Sequence, residues 1–190
     1  MTDTVFVFAR APRLGTVKRR LATGIGEPAA LRFYRVTLAT TLRRLRGDRR
    51  FRTVLATTPE RARGPWRGGL PTVGQGSGDL GTRMQRCLNR RAGGRVAIVG
   101  ADIPDLSADD VAAAFRLLRA NSACFGPAED GGYWLVAVGA RRPSRAFAAV
   151  RWSGPHTLAD TLANFTGRSV AFLRRLRDVD TLDDLRALRR

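Results

Sequence analysis

Residues 95–102 read "RVAIVGAD". A short apolar run, rich in β-branched residues, ends at a glycine and then meets an aspartate. Such a run is too short for a core helix and reads as a buried strand. The same character recurs in "TVFVFA" (4–9), "RTVLATT" (52–58), "LPTVGQ" (70–75), "SACFGPA" (122–128), "YWLVAVG" (133–139) and a stretch near 169–173. Segments with helical spacing lie between them. In 27–46, Leu31, Tyr34, Leu38, Leu42 and Leu45 fall on one face. Further helices are expected at about 79–91, along "LSADDVAAAFRLLRA", near 155–165 and near 181–189. Ser107 is placed to cap the helix that follows it, with Asp109 and Asp110 in its first turn. This alternation predicts an α/β sandwich around a largely parallel sheet. A chain of 190 residues suits one domain, 1–190, with a full core. Open sheets of this kind bind ligands beyond the carboxyl ends of their strands. The loops to inspect are therefore 10–18, 75–82, 101–105, 127–132 and 174–180.

Composition narrows the partners. The net charge is +18, and every basic residue except Lys18 is arginine. The arginines form several separated clusters rather than one tail, which favours a generally basic surface over a nucleic-acid groove. Cys87 and Cys124 are far apart and have no metal-type spacing, so both are expected as reduced core thiols of a cytoplasmic protein. The lone histidine, His156, excludes a His-rich metal site and reads as an exposed first-turn residue. No apolar run is long enough to span a membrane, and "MTDTVFVFARAP" does not read as a signal peptide.

Five stretches carry chemistry. "ARAPRLGTVKRRL" (9–21) is either a phosphate-receiving loop or a basic surface turn; it lacks Walker A spacing. In "GADIPDL" (100–106), Asp102 leaves the strand at the ligand end, where a carboxylate suits Mg²⁺ or Mn²⁺. Asp105 is either a second ligand of that cation or the acid that opens the next helix. "GPAEDGGYWL" (126–135) can bring backbone close to a ligand, or simply turn a hairpin. "DVDTLDDL" (178–185) supplies Asp178 and Asp180, which either cap a helix, with Asp180 or Thr181 as the cap, or meet Asp102 around one cation. "QGSGDLGTRM" (75–84) allows close approach of a base or sugar, or is a flexible connection.

Taken together, these stretches resemble the radical-SAM/selenodomain-associated transferase 1 family, also described as arsenosugar-biosynthesis glycosyltransferase-like. The family pattern A-[KR]-x-P-x-x-G-x-V-K-[TS]-R-L is met by Ala9 to Leu21, with Arg19 in place of the usual threonine or serine. Q-G-x-G-D-L-G-x-R-M is met by Gln75 to Met84, G-x-D-x-P-x-L by Gly100 to Leu106 and G-P-A-x-D-G-G-Y-x-L by Gly126 to Leu135. Trp152–Ser153 and Asp178–Thr181 follow in order, and Ile103 stands where a cysteine is common. The resemblance implies a single-domain GT-A-like, Rossmann-like fold, with a mostly parallel sheet flanked by helices on both faces. It implies a nucleotide held by Ala9, Arg10, Pro12, Arg13, Gly15, Lys18 and Arg20, with Gln75, Gly78 and Asp79 from the second loop. It implies Mg²⁺ or Mn²⁺ on Asp102 and Asp180. Asp105, Glu129, Asp130, Gly131, Gly132, Tyr133, Trp152 and Ser153 would lie on the acceptor side, and Lys18 and Asp130 would be catalytic.

The expected partners are a nucleotide or nucleotide sugar and a small-molecule acceptor, with no specific nucleic acid. Two reactions fit. Glycosyl transfer from a nucleotide sugar is the leading expectation. Nucleotidyl transfer from an NTP to a phosphorylated acceptor, releasing pyrophosphate, is the alternative; Asp102-x-Pro104 and the missing D-x-D favour it. A non-catalytic nucleotide or nucleic-acid binder is remote, because bare carboxylates repel phosphate.

Overall fold

The computed structural model describes residues 2–91 and 93–188. In chain order the elements are β1 (Thr4–Arg10), α1 (Arg19–Ile25), α2 (Glu27–Arg46), β2 (Arg52–Thr58), β3 (Thr72–Gly74), α3 (Leu80–Asn89) and β4 (Val96–Gly100). They continue with α4 (Ala108–Leu117), β5 (Ala123–Pro127), β6 (Tyr133–Val138), α5 (Thr157–Ala163), β7 (Val170–Phe172) and α6 (Leu182–Ala187). The strands form one sheet in the order β3-β2-β1-β4-β6-β5-β7. All neighbours are parallel except β6, which runs antiparallel to both β4 and β5.

The period-2 geometry of strands sorts the apolar residues onto two faces. Val5, Val7 and Ala9 of β1 turn toward Tyr34, Leu38 and Leu42 of α2 and join Val111 and Phe115 of α4. Phe6 turns the other way, into a cluster with Met84, Cys87 and Leu88 of α3 and Phe165 beyond α5. Helices thus cover both faces, and most strands are apolar throughout. Cys87 and Cys124 are free, buried and on opposite faces.

The expected strands and longer helices are all present, β3 being shorter than "LPTVGQ" (70–75) predicts. The final helix is expected to reach 189, which lies outside the described residues. The sequence pattern gave no sign of α1. It has seven residues between a proline-containing loop and Gly26, too short for a hydrophobic stripe to register. Its stabilisation is tertiary: Leu21 packs with Ala30 and Val179 in a third small cluster. That cluster fixes two segments of the crevice at once, the end of the first loop and the 178–180 stretch.

Candidate functional site

The carboxyl ends of β1 and β4 are neighbours in the sheet, so the loops that leave them face each other. The first loop is tied down by its backbone. The Tyr34 hydroxyl accepts from the Arg10 amide and donates to the Arg10 carbonyl, both at 2.9 Å. Arg35 donates to the Pro12 carbonyl at 3.3 Å, and the Arg10 side chain donates to the Thr16 carbonyl at 3.2 Å. Burial pushes the Tyr34 phenol up to about 12, so it remains a donor at neutral pH. The loop ends at Lys18, just before α1, with a left-handed backbone (φ 49°, ψ 45°) that non-glycine residues rarely adopt.

From there the Lys18 side chain runs inward and is 4% exposed. Its Nζ donates to Asp102 Oδ2 at 2.8 Å and to Asp180 Oδ1 at 2.7 Å. Asp102 follows β4. Asp180 is free to point here because Thr181, not Asp180, caps α6, in a reciprocal box with Asp184. Burial alone would push the Lys18 ammonium down, but the charges of Asp102 and Asp180 outweigh it and hold the proton firmly. Arg20 adds a longer contact to Asp180 Oδ2 at 3.3 Å.

This three-residue bridge divides a crevice into two chambers. The polar one is lined by Arg10, Thr16, Val17, Lys18, Arg19, Arg20 and Tyr34. The other has an apolar floor of Phe8, Leu80, Met84, Ile98, Ile103, Tyr133 and Trp152, with Asp130, Ser153 and Asp178 at its polar edge. Asp102, Asp180, Arg20 and Phe8 belong to both. Burial pushes the Asp178 carboxyl up to about 6, and the charges of Asp130, Asp180 and Asp102 add to this.

Close backbone approaches build the apolar chamber. A Cβ on Gly81 would stand 2.9 Å from both the Trp152 ring and the Phe147 carbonyl. Gly131, at φ +86°, lies against Pro155, whose carbonyl oxygen a Cβ would meet at 2.5 Å. The Q-G-x-G-D-L-G, D-G-G-Y and W-S stretches are therefore parts of one wall. The Asp-Gly-Gly segment is also a true hairpin connection, joining antiparallel β5 and β6. Within it Asp130 Oδ1 accepts from the Gly132 amide at 2.8 Å.

Several expected residues do not reach the crevice lining. Ala9, Pro12 and Gln75 are buried, while Arg13 and Gly15 are exposed on the outer loop. Gln75 uses its amide nitrogen to join the Ala9 and Ala56 carbonyls, at 3.3 and 2.9 Å, and so holds the strand ends together. Gly78 precedes Asp79, which caps α3 by accepting from the Thr82 amide at 2.8 Å. Asp105 is exposed, and its carbonyl accepts from Arg174. Glu129 pairs with Arg177. His156 is exposed at the start of α5 and makes no side-chain cap. The residues brought together are Arg10, Lys18, Arg20, Asp102, Asp130, Gly132, Tyr133, Trp152, Ser153 and Asp180. Tyr34 and Phe8 are additions. A phenol inside an apolar helical stripe was the available signal for the first; nothing in the pattern marked the second.

The donor chemistry fits a hard divalent cation. Two carboxylates, each about one-third exposed, converge on one point, and a cation, the Lys18 ammonium, already stands there. Among the described residues no three acidic, histidine or cysteine side chains form a complete cage. Water and phosphate oxygens would complete the shell, as Mg²⁺ prefers.

The fold and crevice define a GT-A-like α/β protein with its candidate site at the carboxyl edge of the sheet. The chain belongs to the DUF2064 family, described as an uncharacterized protein conserved in bacteria, whose family model matches residues 39–154. No curated protein matches it in sequence. A candidate nucleotide-diphospho-sugar transferase from Desulfovibrio desulfuricans G20 is similar in structure at TM-score 0.92 and 28% identity, over 100% of this chain and 87% of that one. Rv0371c from Mycobacterium tuberculosis H37Rv, solved as a complex with manganese, is similar at TM-score 0.58 and 18% identity, over 99% of this chain and 98% of that one. CMP:2-keto-3-deoxy-manno-octonic acid synthetase, complexed with CTP, is similar at TM-score 0.61 and 11% identity, over 100% and 97%. The last two likenesses concern the fold alone.

Proposed function

We propose that the chain is one transferase domain, 1–190, that binds a nucleotide or nucleotide sugar across the crevice and transfers a group to a small-molecule acceptor. The observation that carries this reading is the Lys18–Asp102–Asp180 bridge at the junction of a basic chamber and an apolar one. The basic chamber suits phosphates, and the apolar chamber suits the acceptor. The likeness to the Desulfovibrio protein supports the class. The ordered motifs support membership of the radical-SAM/selenodomain-associated transferases. The two buried free thiols agree with a reducing, cytoplasmic setting.

Glycosyl transfer is the leading reaction. The bond between the anomeric carbon and the diphosphate oxygen breaks, and a bond from that carbon to the acceptor oxygen forms. The acceptor proton passes to a carboxylate at the edge of the apolar chamber; we assign Asp130. Its Oδ1 is held by the Gly132 amide, leaving Oδ2 to accept. Lys18, Arg10 and Arg20 bind the departing diphosphate. When bound, Mg²⁺ or Mn²⁺ on Asp102 and Asp180 supplies neutralisation of the phosphate charge. Residues that sit outside the crevice lining support its walls: Gln75 and Asp79 by hydrogen bonding, Gly131 by close packing on Pro155.

Nucleotidyl transfer is the second reading, supported by a fold shared with a CTP-complexed synthetase and by Asp102-x-Pro104. Product analysis separates the two. Purified protein is incubated with Mg²⁺ or Mn²⁺ and a panel of nucleotide sugars and NTPs, with candidate acceptors. Release of nucleoside diphosphate upholds glycosyl transfer; release of pyrophosphate upholds the second reading. Neither product, with no nucleotide-dependent rise in Tm, would overturn both.

A further inference from the structure

The family resemblance implies Lys18 on nucleotide phosphates and Asp102 and Asp180 on a metal ion. The structure puts Lys18 on Asp102 and Asp180 themselves. These two assignments conflict unless the lysine moves.

The geometry of the two carboxylates sharpens the conflict. Asp102 Oδ1 lies against the strand end, where a Cβ on Gly100 would come within 2.9 Å of it. Asp180 Oδ2 faces Arg20. The oxygens that face one another across the crevice are Asp102 Oδ2 and Asp180 Oδ1, and both are held by the Lys18 ammonium. A divalent cation between these oxygens and an ammonium contacting the same two cannot share the space. Their like charges add to the exclusion.

The side chain has somewhere to go. Its backbone is fixed at the start of α1, and the residue lines the polar chamber with Arg10, Thr16, Arg19 and Arg20. An ammonium pushed off the carboxylates turns into that chamber, where the proposed diphosphate lies. An arginine fork, planar and wider, is poorly suited to exchange one small point of contact for another. That accounts for a lysine at this position in a chain whose other cations are all arginine.

We propose that Lys18 is a placeholder cation that holds Asp102 and Asp180 together in the metal-free protein and is displaced onto phosphate when a divalent cation enters. The proposal rests on the reading of the crevice as a metal–nucleotide site. Loss of the carboxylate contacts and gain of the phosphate contact are one movement, so metal and nucleotide binding are coupled, each raising the affinity of the other. Metal alone binds weakly because it must displace the lysine.

Mn²⁺ titration followed by electron paramagnetic resonance of the free ion, without nucleotide, tests this. Lys18→Met is expected to bind Mn²⁺ on the order of tenfold more tightly than wild type, within the usual span of coupling between two bound groups. Lys18→Arg, which keeps a cation between the carboxylates, is expected not to gain affinity. Asp102→Ala is expected to lose the site. Lys18→Met binding no more tightly than wild type, while Asp102→Ala loses binding, overturns the placeholder and leaves the metal reading standing. Unchanged binding in Asp102→Ala overturns both. A second measurement needs no Lys18 variant: with one lysine in the chain, lysine labelled with ¹³C at Cε alone gives a single side-chain NMR signal. Added Mg²⁺ is expected to shift the Lys18 Cε resonance in wild type and not in Asp102→Ala. A resonance that stays fixed at Mg²⁺ concentrations that raise Tm overturns the proposal.

Discussion

At the residue scale, position 18 combines a rare backbone conformation, near-complete burial and two charged partners. The first two are costly and the carboxylates offset the burial, and together they mark a site held for function. Lys18→Arg keeps the charge and changes the shape. It is expected to weaken nucleoside diphosphate binding in the presence of Mg²⁺ by about tenfold, measured by calorimetry; equal affinity would show that only the charge matters. The importance of Lys18 was legible in the sequence, because one lysine among so many arginines invites a question. Its partners were legible one by one, since Asp102 ends a strand and Asp180 precedes a helix. Their convergence on the ammonium was not, because it depends on how segments far apart in sequence meet. Asp178 shows the same boundary: only the fold places it beside Asp130, Asp180 and Asp102, where burial and like charge push its carboxyl up to about 6.

At the element scale, helix starts carry much of the order. Ser107 and Asp110 form a reciprocal cap on α4, and Asp110 also receives Arg174 at 2.8 Å. Burial works against the Asp110 carboxylate, but Arg174 and Ser107 overcome it and hold the carboxyl below its usual range. A lowered folded-state value means stability that is present above the unfolded value and lost as pH falls. Asp110→Ala is expected to cost about 1–2 kcal/mol at pH 7. The difference in Tm from wild type should shrink below about pH 4; a difference that persists at pH 2.5 would contradict the assignment. The Ser107 cap was legible from sequence, whereas α1 was not, since its single turns of packing onto α2 and Val179 are tertiary. The glycine motifs were legible as places of close approach to a ligand, not as contacts within the wall. Their function as clearances appears once Gly81 is seen beneath Trp152. Gly81→Ala is expected to cost about 1–3 kcal/mol and to shift tryptophan emission; unchanged Tm and emission would mean that the wall does not depend on this contact.

At the scale of the whole molecule, the α/β alternation was the most readable feature, because strands buried on both faces leave near-continuous apolar runs. The reversed β6 was less so: "YWLVAVG" has the same composition whichever way the strand runs. Burial pushes Cys87 and Cys124 up to about 11 and about 12, so both thiols should react with a disulfide reagent at pH 8 only after denaturation; rapid labelling of the native protein would contradict their core placement. The +18 charge predicts DNA binding that fades between 50 and about 200 mM salt, while nucleotide binding in the crevice persists. In the proposed reading the crevice binds nucleotide and metal together through Asp102. The most direct measurement is Tm with Mn²⁺ and nucleoside diphosphate, alone and combined, for wild type and Asp102→Ala. The combination is expected to raise the wild-type Tm beyond either component, by mass action, and to lose that gain in the variant. An equal gain in Asp102→Ala would contradict the site.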